Sequence, residues 1–165
     1  LNFLNIEFSL LFINERVPLM KKLSIDIKIL DNGAMIPKKQ YDSDAGYDLH
    51  SLLECTIKPN EINKIHTGLS IAIPDGFAGL VLPRSGLSSK FGITLINSPG
   101  LIDSGYRGEL LIPLINYSKN DYIIKRNERV AQLLVIESSN IIFNITEKLN
   151  ESDRKDLGFG STGEK

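Results

Sequence analysis

The run LSIAIPDGFAGLVL, residues 69–82, places two kinds of strand signal around one turn. Leu69, Ile71 and Ile73 alternate with Ser70 and Ala72, the period of two that sets one face of a strand against a core. Pro74-Asp75-Gly76 is turn chemistry, and residues 77–82 form a short apolar run that reads as a strand buried on both faces. The same signals recur outward in both directions. Ile25, Ile27 and Ile29 alternate, as do Leu53, Cys55 and Ile57, and Ile141, Phe143 and Ile145. Residues 109–116 and 129–136 are further short apolar runs, and Asp31-Asn32-Gly33, Ser98-Pro99-Gly100 and Asp103-Ser104-Gly105 are further turns. Short strands separated by turn chemistry predict an all-β sandwich or barrel. One short helix fits around Leu87–Phe91, and Pro113, inside an apolar run, predicts an edge position or a bulge.

At 165 residues, 42% hydrophobic and 24% charged, the chain is long enough for one packed domain. A net charge of −1 removes the electrostatic footprint of a non-specific nucleic-acid binder, so no nucleic-acid partner is expected. A small anion held by one local cluster of donors stays compatible with it. Cys55 is the single cysteine and His50 and His66 are the two histidines, which excludes an intrachain disulfide and any metal site built on several thiolates or imidazoles. Alternation places Cys55 in a strand as a packed residue, His50 reads as an exposed structural histidine, and His66 has no partner in view. No run of 18 apolar residues exists, so no membrane partner is expected and the chain is assigned to the cytoplasm. Residues 1–19 lack the basic and small-residue marks of a signal peptide. With Met20 opening MKKLSIDIKIL, they are expected to be an extension, upstream of the natural start or dispensable. The domain is expected over 20–149 and a polar, Gly-rich arm over 150–165.

Three stretches offer chemistry. In Leu82-Pro83-Arg84-Ser85-Gly86-Leu87, a guanidinium fork, a hydroxyl and an open backbone amide are the parts that hold a phosphate. The plainer reading is a strand end entering a helical turn capped by Ser85 or Ser88. From Asn97 to Glu109, three glycines and one proline force tight turns and let a flat ligand approach the backbone. Asp103 follows two apolar residues, where a carboxylate at a pocket mouth can act as general base or can simply organise its own turn. In the tail, Phe159 between glycines followed by Ser161 and Thr162 could stack on a base while its neighbours meet phosphate, or could be a plain Gly/Ser terminus.

In order and spacing, five segments resemble the homotrimeric dUTP pyrophosphatase (dUTPase) family: Asp44–Leu49, Pro83–Leu87, Asn97–Glu109, Glu128–Leu133 and Gly158–Gly163. The resemblance spans residues 22 to 163 and implies an all-β, jelly-roll-like barrel assembled as a homotrimer, with the C-terminal arm closing a neighbour's site. It implies Mg²⁺-dependent hydrolysis of dUTP to dUMP and pyrophosphate, which limits uracil in DNA and supplies dUMP for thymidylate synthesis. Carried onto this sequence, Asp103 would deprotonate the water that attacks the α-phosphorus, and Asp48 would hold waters around a Mg²⁺ bound mainly by substrate phosphates. Arg84, Ser85 and Gly86 would bind phosphate, with Gln132 nearby. Asn97, Gly100, Leu101, Ile102 and Asp103 would line the uracil pocket, Tyr106 would pack under the deoxyribose, and Leu111 would complete the far side. Arg154, Phe159, Ser161 and Thr162 would close over the nucleotide. Lys155 and Leu157 stand where the family's arms usually carry glycine, which predicts a stiffer arm.

Two rival resemblances are weaker. Leu101-Ile102-Asp103-Ser104-Gly105 also looks like an aspartic-protease motif, but that reading leaves Arg84-Ser85-Gly86, Gln132 and the tail unused. The related dCTP deaminases carry a catalytic Glu on the strand after the hairpin, where this chain has Pro113, which cannot move a proton.

Overall fold

A computed structural model of the chain describes residues 22–152; the expected extension over 1–19 and the arm residues Arg154, Phe159, Ser161 and Thr162 lie outside them. In chain order the elements are β1 (Asp26–Ile29), β2 (Tyr47–His50), β3 (Cys55–Ile57), β4 (Ile62–His66), β5 (Leu69–Ala72), β6 (Phe77–Pro83), α1 (Ser85–Phe91), β7 (Ile93–Leu95), β8 (Gly100–Ile102), β9 (Leu111–Asn116), β10 (Tyr122–Ile124) and β11 (Arg129–Glu137). All pairings are antiparallel, in sheets of order β2-β11-β6-β8, β4-β9-β7, β1-β5 and β10-β3. The sheets enclose one core, to which every strand from β2 to β11 contributes, including Leu49, Ile57, Ile65, Ile71, Val81, Ile93, Ile102, Ile112, Ile124 and Val130. The all-β expectation holds, and the one helix is short because Gly92, at φ 69°, ends it in the left-handed region.

The LSIAIPDGFAGLVL stretch forms β5, a turn and β6, with Phe77 N–H donating to the Pro74 carbonyl across Gly76 at φ 82°. Leu69, Ile71 and Ile73 are all buried, as the alternation requires. Pro113 behaves differently from the expectation. It lies in β9, the central strand of its sheet, opposite Lys64 of β4. On its other side its carbonyl accepts the Ile96 N–H at 3.1 Å, and the ring nitrogen has no hydrogen to return. That missing bond falls just past Leu95, the last residue of β7, so the proline marks where a neighbouring strand ends.

The expected strand around Ile141, Phe143 and Ile145 is not formed. Residues 138–146 contain no strand, and these three side chains are 66%, 88% and 104% exposed. Alternation states which face of a segment wants covering but not by what, and no strand among the described residues pairs with it. Leu53 likewise lies outside β3 and is exposed, so the alternation there begins only at Cys55.

The buried polar side chains Asp48, Ser51, Thr67, Ser70 and Asn116 all make hydrogen bonds. Asn116, fully buried, donates Nδ2 to the carbonyls of Ile57 and Asn120, both at 2.8 Å, and accepts the Ser118 N–H at 2.8 Å. It thus ties β9 to β3 and closes the turn before β10. Asn116→Ala removes the three hydrogen bonds of a buried side chain, although the Asn120 carbonyl keeps the Ser118 hydroxyl, and should cost about 2–4 kcal/mol. Thermal denaturation should show the midpoint falling by roughly 10 °C.

Candidate active site

The expected nucleoside-pocket residues do converge. Asn97, Gly100, Leu101, Ile102, Tyr106 and Leu111 line one cavity of about 160 Å³, backed by Val81, Leu95 and Pro113. The cavity lies between β8 and the start of β9, strands of different sheets. β8 is the edge strand of its sheet, paired only with β6, so half of its backbone N–H and C=O groups have no strand partner. Such an edge can read the donor and acceptor rim of a planar ligand through main-chain groups alone. Gly100 keeps this approach open, since a Cβ there would sit 3.3 Å from Asn97 Nδ2 and 3.4 Å from Val81 Cβ.

Tyr106 stands over this cavity with its hydroxyl donating to the Glu109 carbonyl at 2.8 Å. Its ring lies against the backbone of the β8–β9 loop at Gly108, where a Cβ would come within 2.6 Å of Tyr106 Cζ. Asp103, expected with the nucleoside-pocket residues, is not among those lining the cavity; it follows the lining residue Ile102 directly and is exposed. Its backbone carbonyl, not its carboxylate, closes the turn by accepting the Tyr106 N–H at 3.1 Å. The plainer reading of Asp103 as a turn organiser therefore uses the wrong atom, and the carboxylate is left for other chemistry.

The residues expected at phosphate and metal converge elsewhere. Arg84, Ser85, Gly86, Asp48 and Gln132 line a second cleft of about 390 Å³ that shares no residue with the first. Asp48 is its electrostatic centre. One carboxylate oxygen lies 3.5 Å from Arg84 Nε; the other lies 3.2 Å from Arg129 Nη1 and accepts Gln40 Nε2 at 2.9 Å. The lining sets two guanidiniums against the carboxylates of Asp48 and Asp44, so its formal charges balance, and what suits it to an anion is its supply of N–H donors. Arg84 is steadied by donating Nη1 to the Arg129 carbonyl at 2.8 Å. It also takes the N-cap position of α1 with no side-chain cap bond, so neither serine caps the helix. Ser88 Oγ instead turns back to the carbonyls of Arg84 and Ile93, at 3.2 and 3.3 Å.

Arg129 and Gln132 line this cleft together because of a β-bulge. The register of β11 against β2 shifts between Arg129 and Ala131. In a regular strand residues three apart face opposite ways; one extra residue restores them to the same side. Val130 and Leu133 then face the core, buried to 1% and 5%. Gln132 donates Nε2 to the Pro83 carbonyl at 3.0 Å, beside Gly46, where a Cβ would meet Gln132 Oε1 at 2.5 Å. Sequence reasoning singled out Gln132 and missed Arg129 and Gln40; Arg129 sits inside a quoted segment, but strand parity alone turns it away from Gln132.

Among the described residues no group of three or more His, Cys, Asp and Glu side chains could hold a metal by itself. A Mg²⁺ fits this cleft only in the form that takes most ligands from phosphate and water, with Asp48, already committed to two arginines, acting at second hand. Among the remaining candidates, His66 does have a partner, Glu109, at 2.9 Å. Cys55 is part-buried in β3, where burial raises its thiol pKa, as befits a packed residue and not a nucleophile.

Similarity to known proteins runs along the same segments. A family model described as dUTPase matches residues 32–163. The deoxyuridine 5'-triphosphate nucleotidohydrolase of Wolbachia pipientis subsp. Culex pipiens is 45% identical over 148 residues, 86% of this chain and 97% of that protein. The Helicobacter hepaticus protein of the same name is 42% identical, over 88% of this chain and 92% of its own. Among solved structures, the Staphylococcus bacteriophage 80alpha dUTPase with dUPNHPP superposes with a TM-score of 0.80 at 29% identity, covering 86% of this chain and 99% of that one. A mutant dUTPase from phage phi11 of S. aureus, solved for the coordination of a structural Mg(II) ion, superposes with a TM-score of 0.72 at 26% identity, over 76% and 98% of the two chains.

His50, two residues after Asp48, corrects its reading as an exposed residue: it is half-buried and its Nδ1 has no hydrogen-bond partner. Burial is the main cause that lowers its pKa; Asp48 pulls the other way, while Arg129, Arg84 and Lys38 add to the lowering. Below pH 6.5, its ordinary value, the unfolded chain takes a proton that the folded chain refuses. The contribution of His50 is therefore intact above that pH and is lost as the pH falls through the window beneath it. The melting midpoint, followed from pH 7.5 to 5, should decline less steeply in His50→Gln than in the wild type.

Proposed function

The chain belongs to the dUTPase family, and from that premise we propose that it hydrolyses dUTP to dUMP and pyrophosphate. The observation that carries this reading is Asp103, an exposed carboxylate on the residue that directly follows Ile102 in the wall of a cavity formed at a sheet-edge strand. Uracil has a flat rim of alternating acceptors and donor, which the N–H and C=O groups of β8 and the Asn97 amide can match. The close walls around Gly100 and Val81 favour a base without a 5-methyl group. Tyr106 would then lie under the sugar, with Leu111 on the far side. Asp103, placed just beyond, takes the proton of the water attacking the α-phosphorus.

Phosphate binding falls to the Arg84, Ser85, Gly86 and Gln132 cleft. Its guanidinium and first-turn amides suit a chain of phosphate oxygens. A Mg²⁺ held by the triphosphate, with Asp48 ordering its waters, would neutralise charge that builds on the leaving pyrophosphate. Nucleoside and phosphate residues occupy two separate clefts of one chain, which supports a site completed between copies. The exposed apolar run Ile141, Ile142, Phe143, Ile145 and Leu149 favours self-association as well. We read the assembly as a homotrimer whose arm, with Arg154, Phe159, Ser161 and Thr162, closes a neighbouring site. The cellular role is then to keep uracil out of DNA and to supply dUMP, in the cytoplasm; no helix among the described residues is long and apolar enough to cross a membrane.

Purified protein should release pyrophosphate from dUTP, but not from dCTP, dTTP or UTP, in the presence of Mg²⁺, and should release no ammonia from dCTP. EDTA should suppress the reaction. Asp103→Asn should lower kcat by about 10²-fold or more while leaving KM for dUTP within roughly threefold. Ammonia from dCTP, or full activity in Asp103→Asn, would overturn the assignment.

A further inference from the structure

The β8–β9 loop that carries Tyr106 is stitched to the β4–β5 turn and the start of β5, which contribute nothing to the cavity. Ser70 Oγ donates to the Arg107 carbonyl at 2.7 Å, Leu110 N–H to the Leu69 carbonyl at 2.8 Å, and Thr67 Oγ1 to the Leu110 carbonyl at 2.8 Å. Glu109 sits in the middle of this seam and uses three acceptor atoms. Its Oε1 accepts the Gly68 N–H at 2.8 Å, its Oε2 lies 2.9 Å from His66 Nδ1, and its backbone carbonyl accepts the Tyr106 hydroxyl at 2.8 Å. The carboxylate side is 22% exposed and the imidazole side 56%.

The seam has uncharged bonds on both sides of Glu109 that hold the loop to the barrel alongside the charged one. What it adds is control of one carbonyl. Gly108 removes any side chain that would wedge the Tyr106 ring, leaving the ring's height to be set by its hydroxyl on the Glu109 carbonyl. That carbonyl shares its peptide plane with the Leu110 N–H, which the Leu69 carbonyl holds, and the pinned Glu109 carboxylate is the second constraint on it.

We propose that Glu109, pinned by Gly68 and His66, is a positioning residue that fixes Tyr106 over the sugar and so sets the discrimination between deoxyribo- and ribonucleotides. It rests on the reading of that cavity as the nucleoside site. Glu109 lines the cavity beside Tyr106 while His66 does not, and neither is assigned a part in the attack on phosphorus, so the effect belongs in KM and in selectivity, not in kcat.

The test is steady-state kinetics of the full chain with dUTP and with UTP, plus Mg²⁺. Glu109→Ala should raise KM for dUTP about tenfold, hold kcat within about twofold, and narrow the dUTP/UTP ratio of kcat/KM about tenfold. Glu109→Gln, which still offers an oxygen to Gly68, should recover most of both losses, and His66→Ala should move both in the same direction by about threefold. In a Tyr106→Phe background, where the hydroxyl bond is already gone, Glu109→Ala should change the ratio by less than about twofold. An unchanged ratio in Glu109→Ala overturns the proposal, as does an equal loss in the Tyr106→Phe background. If Glu109→Ala does not fold, His66→Ala decides, and an unchanged ratio there overturns it. A wild-type chain that hydrolyses no dUTP, or fails to prefer it over UTP, refutes the reading of the cavity itself, which the wild-type measurement shows before any variant is made.

Discussion

Seven consecutive residue pairs join β6 to β11, from Pro83↔Ala131 to Phe77↔Glu137, and both clefts hang from that ladder. On one flank β8 pairs to β6 over only three residues, which leaves an outer edge free to face a ligand. On the other flank β2 pairs to β11 and brings Asp48 opposite Gln132. Antiparallel ladders fix register tightly when one face is buried, because a slip of one residue would turn Val81 and Leu133 out of the core. The chemistry-bearing residues are held at the ladder's margins: Arg84 one step past the end of β6, Arg129 at the start of β11, and Asp103 one step past β8.

The second cleft illustrates how such a scaffold handles charge. Asp48 and its two arginines are far apart in the sequence, and the pairing of β2 with β11 and of β11 with β6 draws them together. In the absence of an anion, the carboxylate neutralises part of the guanidinium charge and keeps both side chains in place. An anion entering the cleft would meet donors already held in place by this pairing. The half-buried His50 next to it answers to the same fields and stays uncharged where a solvated imidazole would take a proton.

The strand content was legible from residues 69–82 and the alternations like them, since burial of one face dictates period two whatever the topology. Legibility failed where a segment's partner decides its fate. Ile141, Phe143 and Ile145 carry as clean an alternation as Leu69, Ile71 and Ile73, yet only the second set finds a sheet among the described residues. Pro113 pointed to an edge, but it sits in a central strand because its missing hydrogen falls opposite the end of β7. Most of the site was legible too, through the order of its segments. Arg129 and Gln40 were not, and neither was the His66–Glu109 contact across 43 residues.

By itself, the sequence determined that the fold is all-β, which side chains are candidates for chemistry, and which family its segments resemble. Those are properties of composition, period and order along a chain. Tertiary structure alone decided which of those side chains meet. It divided them between two clefts, placed a bulge that turns Arg129 and Gln132 to one side, and pinned Glu109 to a turn with no role in the cavity. The physical reason is that register, bulges and edges arise from pairing between distant strands, and no local stretch encodes its partner.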